Sequence, residues 1–354
     1  MIKVLYILPS TNIYGGTPRK TLELIKSLDV DSILYTYDNN FLEFIPLFEK
    51  SGAIVINAPF KRNFLKHFFL LRKVIKNNKV QIVQTQFSFG EILAFLCKFI
   101  DKKIKIINAF VGTTKPNLFK RTILNFLYIF VDQFIYISKY VKKEKVKQFP
   151  ILKMKASKVV YNGATKRDGV NKKILPRTKF NLLSIGGLID VKNFDVLVEM
   201  MNILKNKNIF HLTIIGEGPN EKKIKSNIEK YKLGNCISLV GYSDNIGDYL
   251  NSCDIYLHPA YAEGFGIAII EAMLANKPVI VSNKGASIEI ITNNIDGKIV
   301  RFNDANEWAQ SVVELYKDKN LRNKLSTNGL NNANSNFTLD IFSSNYLNIY
   351  KNIL

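Results

Sequence analysis

Cysteine is scarce in this 354-residue chain: Cys97, Cys236 and Cys253 are an odd number and show no Cys-x-x-Cys spacing. Neither a disulfide framework nor a zinc site is indicated, and a reducing cytoplasm fits best. Histidine is as rare, with only His67, His211 and His258. None stands beside a serine or cysteine as a nucleophile pair would, and no His/Asp cluster has metal-ligand spacing, so hydrolytic and metal chemistry lose support and no metal is expected. Long hydrophobic runs are also missing. The most apolar helix candidate, Thr122 to Val131, is flanked by Lys120, Arg121, Asp132 and Gln133 and is too short to span a bilayer. The start, Met1-Ile2-Lys3-Val4-Leu5-Tyr6-Ile7-Leu8-Pro9, lacks the cleavage pattern of a signal peptide. There is no Walker loop and no complete Gly-x-Gly-x-x-Gly: Gly216-Glu217-Gly218-Pro219 comes nearest and fails after its second glycine, which disfavours a dehydrogenase.

Acidic residues are short in one half only. Residues 1–175 hold 31 Lys+Arg against 11 Asp+Glu, a net of +20, while residues 176–354 hold 19 against 18, a net of +1; together they give the formal charge of +21. A biased composition would have touched both halves alike. The asymmetry points to a polyanionic surface, nucleic acid or an anionic membrane leaflet, facing the first half.

Apolar runs of strand length alternate with amphipathic stretches along the whole chain, the pattern of parallel sheets with helical crossovers. In the first half, strands are expected at Lys3–Leu8, Ser32–Tyr35, Val80–Gln84, Ile104–Asn108, Gln133–Ile137 and Lys158–Tyr161, with a helix over Thr17–Leu28. The polar stretch from Ala164 to Lys179 reads as an interdomain linker. The pattern then restarts with strands at Phe180–Ile185, Phe210–Ile215, Ile237–Val240, Asp254–His258 and Pro278–Ser282, and is helical after about Ala305. The expected fold is α/β, two Rossmann-like doubly wound domains facing across a cleft. The first covers residues 1–165 and the second 175–335, followed by a C-terminal helix over 336–354.

The strongest functional signal is Glu263-Gly264-Phe265-Gly266-Ile267-Ala268-Ile269-Ile270-Glu271, two carboxylates eight positions apart. The first lies in a glycine-bracketed turn after a strand and the second inside the following helix. Gly266 and Glu271 are separated by roughly 7 to 8 Å along a helix axis, room for a diphosphate. Amides at the helix start would face its phosphates, and the glycines let the backbone approach. A carboxylate at each end can hold hydroxyls, Glu263 those of a sugar and Glu271 the ribose diol. Taken alone, the pair is also compatible with a solvated loop residue and a solvent-facing helix residue. A glycosidase would set its two carboxyls across one bond, whereas here one sits well down a helix, suited to binding.

Three further features bear on the same ligand. Gly15-Gly16, between the first strand and the first helix, suits a backbone approaching phosphate or an ordinary turn. Lys192, in the loop after Ser184-Ile185-Gly186-Gly187, could neutralise charge growing on a departing diphosphate. The segment Phe60 to Lys76 is basic and amphipathic, with Phe64, Phe68, Leu71 and Ile75 at helical spacing among Lys61, Arg62, Lys66, Arg72, Lys73 and Lys76. It is either a crossover helix with solvated charges or a membrane-surface helix. The second reading is favoured, with Lys142, Lys143, Lys145 and Lys147 adding to the basic face. Nucleic acid is the lesser option because aromatics for base stacking are not interleaved with the cations.

Together these residues resemble glycosyltransferase family 4, retaining sugar-nucleotide transferases of the two-domain GT-B fold. Glu263-Gly264-Phe265-Gly266 through Glu271-Ala272-Met273 matches the family's Glu-x7-Glu signature, and Pro278-Val279-Ile280, Gly285 and Glu289-Ile290 continue it. Gly15-Gly16-Thr17-Pro18-Arg19, Asn162-Gly163 and Gly216-Glu217-Gly218-Pro219 match further recurring segments, so the resemblance spans nearly the whole chain. It implies that Gly16 approaches the diphosphate and Lys192 binds it. The backbone near Gly241 and Tyr242 would meet the base, Glu263 the donor sugar and Glu271 the ribose. It also implies retention of anomeric configuration, no metal or other cofactor, domain closure over the donor, and a last helix crossing back to the first domain.

Three departures from the family pattern stand out. Gly186-Gly187 replaces the usual Gly-Arg, so one diphosphate cation is missing; either Arg19 or another first-domain cation substitutes for it, or donor binding is weak. No histidine occurs around Asn108-Ala109-Phe110-Val111-Gly112, and Ala164-Thr165 follows Asn162-Gly163 where the family has an aspartate. The expected activity is transfer of a hexose-type sugar from a UDP or GDP donor to a glycan acceptor, often lipid-linked, in bacterial surface polysaccharide or lipopolysaccharide synthesis. The expected site of action is the inner face of the cytoplasmic membrane. The alternatives are a sugar-nucleotide epimerase or hydrolase and, more distantly, a basic nucleic-acid-binding protein.

Overall fold

The structure is a computed structural model, and it describes residues 1–13, 16–38, 40–61, 63–169, 174–176 and 178–354. Gly15 and Arg62, both singled out above, lie outside the described residues. The chain divides into two units, Met1–Gly163 with Leu339–Leu354, and Ala164–Thr338.

The first unit holds a parallel seven-stranded sheet of β1 (Lys3–Leu8), β2 (Asp31–Thr36), β3 (Ile54–Asn57), β4 (Ile82–Thr85), β5 (Lys105–Phe110), β6 (Gln133–Tyr136) and β7 (Ser157–Val159), in the order β3-β2-β1-β4-β5-β6-β7. The second holds a parallel six-stranded sheet of β8 (Phe180–Ile185), β9 (Phe210–Ile215), β10 (Ile237–Gly241), β11 (Ile255–His258), β12 (Val279–Ser282) and β13 (Lys298–Val300), in the order β10-β9-β8-β11-β12-β13. Both are doubly wound sheets. The central strands are apolar on both faces because helices cover both: Val4 to Leu8 of β1 and Ile255 to Leu257 of β11 are fully buried. Strand order reverses between β1 and β4 in one sheet and between β8 and β11 in the other, the crevice where open α/β sheets place ligands.

Two edge strands escaped the sequence reading. β3 is four residues long with Ile54 exposed, and β13 is three residues long with the charged Lys298 buried against Glu314. β3 lies in the apolar run Ala53-Ile54-Val55-Ile56, a usable strand signal that the reading passed over, whereas the three residues of β13 are too short to stand out from a loop.

The last helix, Leu339–Ile353, packs on the helix Gly16–Ser27 within the first unit. Its Phe342, Tyr346, Ile349 and Tyr350 join the core around β1, and the Tyr350 hydroxyl donates to Gln84 Oε1 at 2.6 Å. Residues 164–169, read from sequence as the start of a linker, belong to the second unit instead. Ala164 bridges Thr338, and its N–H donates to the Phe337 carbonyl at 2.9 Å. The small side chains at Ala164 and Gly169 permit this close seating, which polarity alone does not reveal.

The basic helix, Phe64–Asn78, divides its faces differently from the sequence reading. Of the four residues read as one apolar face for membrane contact, Phe64 is exposed, whereas Leu71 and Ile75 are buried with His67 and Val74, so this side is the crossover contact with the fold. Leu65 and Phe69 face outward instead, beside Lys61, Lys66, Arg72 and Lys73, all exposed. Lys145 is also corrected: it is buried, with Nζ donating to the Thr114 carbonyl at 2.8 Å, and adds nothing to a basic surface.

Candidate active site

Within the second unit, the loops leaving β8 and β11 meet at the switch point. The β8 loop ends in a 3-10 turn, Asp190–Lys192, and Asn193 follows in the left-handed region at φ 54°. The β11 loop runs from Pro259 to Gly266, which caps the helix Ile267–Leu274 at φ 100°, a conformation open chiefly to glycine. The loops are tied together by the Tyr261 N–H to Val191 O bond at 3.0 Å and by Asn193 Nδ2 donating to Pro259 O at 3.4 Å, and Asn193 Nδ2 also donates to Phe302 O, after β13, at 2.6 Å.

This junction brings Lys192 and Glu263 into a direct ion pair, Nζ to Oε2. His258, the last residue of β11, is fully buried and sets Nε2 at 3.3 Å from the same Oε2, while its Nδ1 lies 3.3 Å from the Tyr256 hydroxyl. Burial pushes the Glu263 carboxyl up, but the Lys192 charge, the His258 bond and the Lys192 bond together hold it well below the usual carboxylate range. Burial pushes His258 below its ordinary value, against the opposing pull of Glu263. Glu263 is therefore a firmly ionised acceptor, held by one cation and one neutral ring.

Glycines shape the surface around this carboxylate. A Cβ on Gly285 would stand 2.7 Å from the Glu263 N and 2.9 Å from its O, and Gly285 itself has φ 67°. Gly216 and Gly218 lie flat on the β8 loop, where added Cβ atoms would meet Gly186 O at 2.0 Å and Leu188 O at 2.5 Å. Gly187 is different, with only the Glu217 carbonyl at 3.7 Å, and so has room for a side chain. Gly241 ends β10 at φ 78°, and the Tyr242 N–H donates to Glu217 Oε1 at 3.2 Å, with the Tyr242 ring half exposed.

The helix Ile267–Leu274 presents its first amides, those of Ile267 and Ala268, at the positive end of its dipole. Gly264 and Gly266 flank the turn before it. Phe265 between them is buried, its ring 6.0 Å from that of Phe337, so its side chain is a packing element and any ligand contact there is through the backbone. Glu271 is buried one turn into the helix, where Arg167 Nε donates to its Oε1 at 2.7 Å. Burial first, and then the charges of Glu271 and Glu263, push the Tyr256 hydroxyl up.

In the first unit, Gly16 opens the helix Gly16–Ser27 with empty space where a side chain would project. Asn108, in the stretch Asn108 to Gly112 around which the resembled family often has a histidine, is buried and donates Nδ2 to Glu91 Oε1 at 2.8 Å. His67 and His211 are core residues, bonded to Tyr35 at 2.7 Å and to Ser238 at 3.0 Å. Among the described residues no group of His, Cys, Asp and Glu has the arrangement of a metal site.

The sequence reading missed His258 and Arg167. His258 was dismissed for want of a nearby nucleophile, although its place five residues before Glu263 at a strand end was a usable signal. Arg167 sits 104 positions from its partner, and nothing in the pattern links them.

Residues 166–332 match the family described as "Glycosyl transferases group 1". The chain is 25% identical over 313 residues to the N,N'-diacetylbacillosaminyl-diphospho-undecaprenol alpha-1,3-N-acetylgalactosaminyltransferase of Campylobacter jejuni, covering 82% of each protein. It is 26% identical over 296 residues to the UDP-Gal:alpha-D-GlcNAc-diphosphoundecaprenol alpha-1,3-galactosyltransferase of Escherichia coli, covering 75% of this chain and 76% of that one. A glycosyltransferase crystal structure from Rickettsia africae superposes with a TM-score of 0.86 at 23% identity, covering 99% of this chain and 98% of that one. Residues 166–332 thus carry a group 1 glycosyltransferase domain, consistent with family 4, and the chain has the GT-B fold.

Proposed function

We propose that this glycosyltransferase moves a sugar from a nucleoside diphosphate donor to a lipid-linked glycan acceptor, with retention of anomeric configuration, during assembly of a bacterial surface polysaccharide or lipopolysaccharide. One observation carries the reading: an ionised carboxylate, a lysine and a helix start converge at the β8/β11 switch point of the second unit. The two relatives named above act on diphospho-undecaprenol-linked acceptors, and one takes its sugar from UDP. Uridine is accordingly the first base to test, with guanosine the second.

In this reading the donor exchanges with the ion pair. Its diphosphate takes Lys192 and the amides of Ile267 and Ala268, and a sugar hydroxyl takes Glu263. As the anomeric C–O bond breaks, the electron pair leaves with the diphosphate, whose added charge these donors meet. The acceptor oxygen bonds the anomeric carbon, and its proton passes to the departing diphosphate. Gly16 and, outside the described residues, Gly15 serve the phosphates from the first unit, while Gly241 and Tyr242 serve the base. No metal or cofactor enters.

The first unit supplies the membrane contact. Beside the exposed cations Lys61, Lys66, Arg72 and Lys73 stand Leu65 and Phe69, and the helix Leu118–Leu127, on the far side of the helix Ser88–Ile100, exposes Leu118, Phe119 and Phe126. Lysine and arginine attract anionic headgroups and the aromatics enter the interface, which suits peripheral attachment to the inner leaflet. No helix among the described residues is long and apolar enough to cross a membrane.

The test is a donor assay with UDP- and GDP-sugars and an undecaprenyl-diphosphate-linked acceptor, with the product anomer read by NMR. Glu263→Ala is expected to lower turnover about 100- to 1000-fold. Normal transfer by that variant, or an inverted anomer, would overturn the respective assignment. Sedimentation with vesicles should recover more protein when anionic lipid is present, and equal recovery would remove the electrostatic part.

A further inference from the structure

We propose that Arg167 is a positioning residue for nucleoside recognition: it fixes the Glu271 carboxylate so that the ribose diol meets a preset acceptor. The inference rests on the reading of Glu271 as the ribose partner and adds a residue which that reading did not contain.

The geometry is specific. Both Nε and Nη2 of Arg167 reach the same oxygen, Glu271 Oε1, at 2.7 and 2.6 Å. A guanidinium that grips one oxygen with two nitrogens fixes the position of that oxygen and supplies the counter-charge. Glu271 needs such a partner, because its side chain is only 8% exposed and a carboxylate so far from water is costly without a counter-charge. Arg167 itself remains 26% exposed, so the pair lies where a ligand can approach.

The backbone carrying Arg167 is held on both sides. On one side Ala164 is bridged to Thr338. On the other, the Asp168 carbonyl lies 2.0 Å from where a Cβ on Gly247 would stand, and a Cβ on Gly169 would meet Asp248 Oδ1 and Asn251 Nδ2 at 2.8 Å each. Any side chain at position 247 would push the segment off. Arg167 is thus a short, anchored lever in the helix-capping neighbourhood of Ile246–Ser252 and not a free surface arginine.

Ribose offers two hydroxyl donors where a 2′-deoxyribose offers one. An acceptor that is buried and fixed in direction discriminates between them, because the analogue leaves it unmatched. A carboxylate released from Arg167 can rotate to follow whichever hydroxyl is present.

The experiment is calorimetric binding of UDP and 2′-deoxy-UDP to the full chain, with GDP and 2′-deoxy-GDP in parallel, for the wild type, Arg167→Ala, Arg167→Lys and Glu271→Gln. The wild type is expected to prefer the ribonucleotide about 10- to 100-fold, the range for a hydrogen bond to a charged group. Arg167→Ala should lose most of that preference and Arg167→Lys should recover part of it. A purely structural Arg167 would weaken both nucleotides equally and lower the melting temperature while leaving the ratio intact, and that result overturns the proposal. If Glu271→Gln also keeps the ratio, the ribose assignment itself falls. If Glu271→Gln loses it while Arg167→Ala keeps it, only the role of Arg167 is refuted. Failure of either nucleotide to bind would end the underlying reading of the site.

Discussion

His258 Nε2 lies 3.3 Å from Glu263 Oε2, so a fully buried imidazole forms the wall behind the carboxylate assigned to the donor sugar. Tyr256, two residues earlier on the same strand, meets the other ring nitrogen at 3.3 Å. Alternation along β11 places both side chains on one face of the sheet and aims them at the loop that follows.

A pH dependence follows from that ring. Burial holds His258 below its ordinary value, so below about pH 6.5 the unfolded chain binds a proton that the folded chain does not. The stability linked to His258 is present at neutral and higher pH and declines as pH falls through this range. The Glu263 carboxyl, held low, adds a second loss only below about pH 4.5, the ordinary carboxylate range. Melting temperature measured from pH 8 to pH 5 should fall for the wild type and fall less steeply for His258→Asn. Parallel curves would dissociate His258 from the acid limb.

Gly285→Ala is expected to be damaging although residue 285 carries no chemistry. The new methyl would stand 2.7 Å from the Glu263 N, in a backbone conformation that disfavours a side chain. Steric shift and positive φ together should cost about 1–3 kcal/mol of stability and move Glu263 off its partners. Urea denaturation and the donor KM check this. A variant with wild-type values of both would mean that the loop tolerates the displacement.

Gly187→Arg is expected to help. The position has room, its nearest atom being the Glu217 carbonyl at 3.7 Å from a built Cβ, and it lies in the same loop as Lys192. A second cation beside the diphosphate should lower the donor KM about tenfold, the scale of one charge-assisted hydrogen bond, with little change in kcat if the contact is equal in ground and transition states. The comparison of the two variants' kinetics at several ionic strengths separates this from an unspecific charge effect, which salt would erase.

Most of the two sheets was legible in the sequence. The strands Phe180–Ile185 and Phe210–Ile215 coincide with the structure to the residue, because a strand buried on both faces is mostly apolar, here broken only by the buried Asn181, Ser184, His211 and Thr213. The edge strand β13 was not legible because it is only three residues long, while β3 carries an apolar run, Ala53 to Ile56, that was passed over. Around the site, the Glu263 loop and the helix bearing Glu271 could be placed from their glycine spacing. Lys192 could be assigned to the same ligand, but not its direct pairing with Glu263, 71 positions away, and Arg167, 104 positions from Glu271, could not be placed at all.

The amino-acid order alone determined which segments become strands and helices, where the glycine turns fall, and that the basic excess belongs to residues 1–175, because each of these is a local property of period, backbone freedom or charge. Only the tertiary structure decided that His258 and Lys192 share one oxygen of Glu263, that Arg167 grips Glu271, and that Leu71 and Ile75 turn inward while Leu65 and Phe69 turn outward. Those outcomes depend on strand order and on which side of a helix meets the sheet. A parallel sheet brings together the ends of strands far apart along the chain, so no local pattern carries that information.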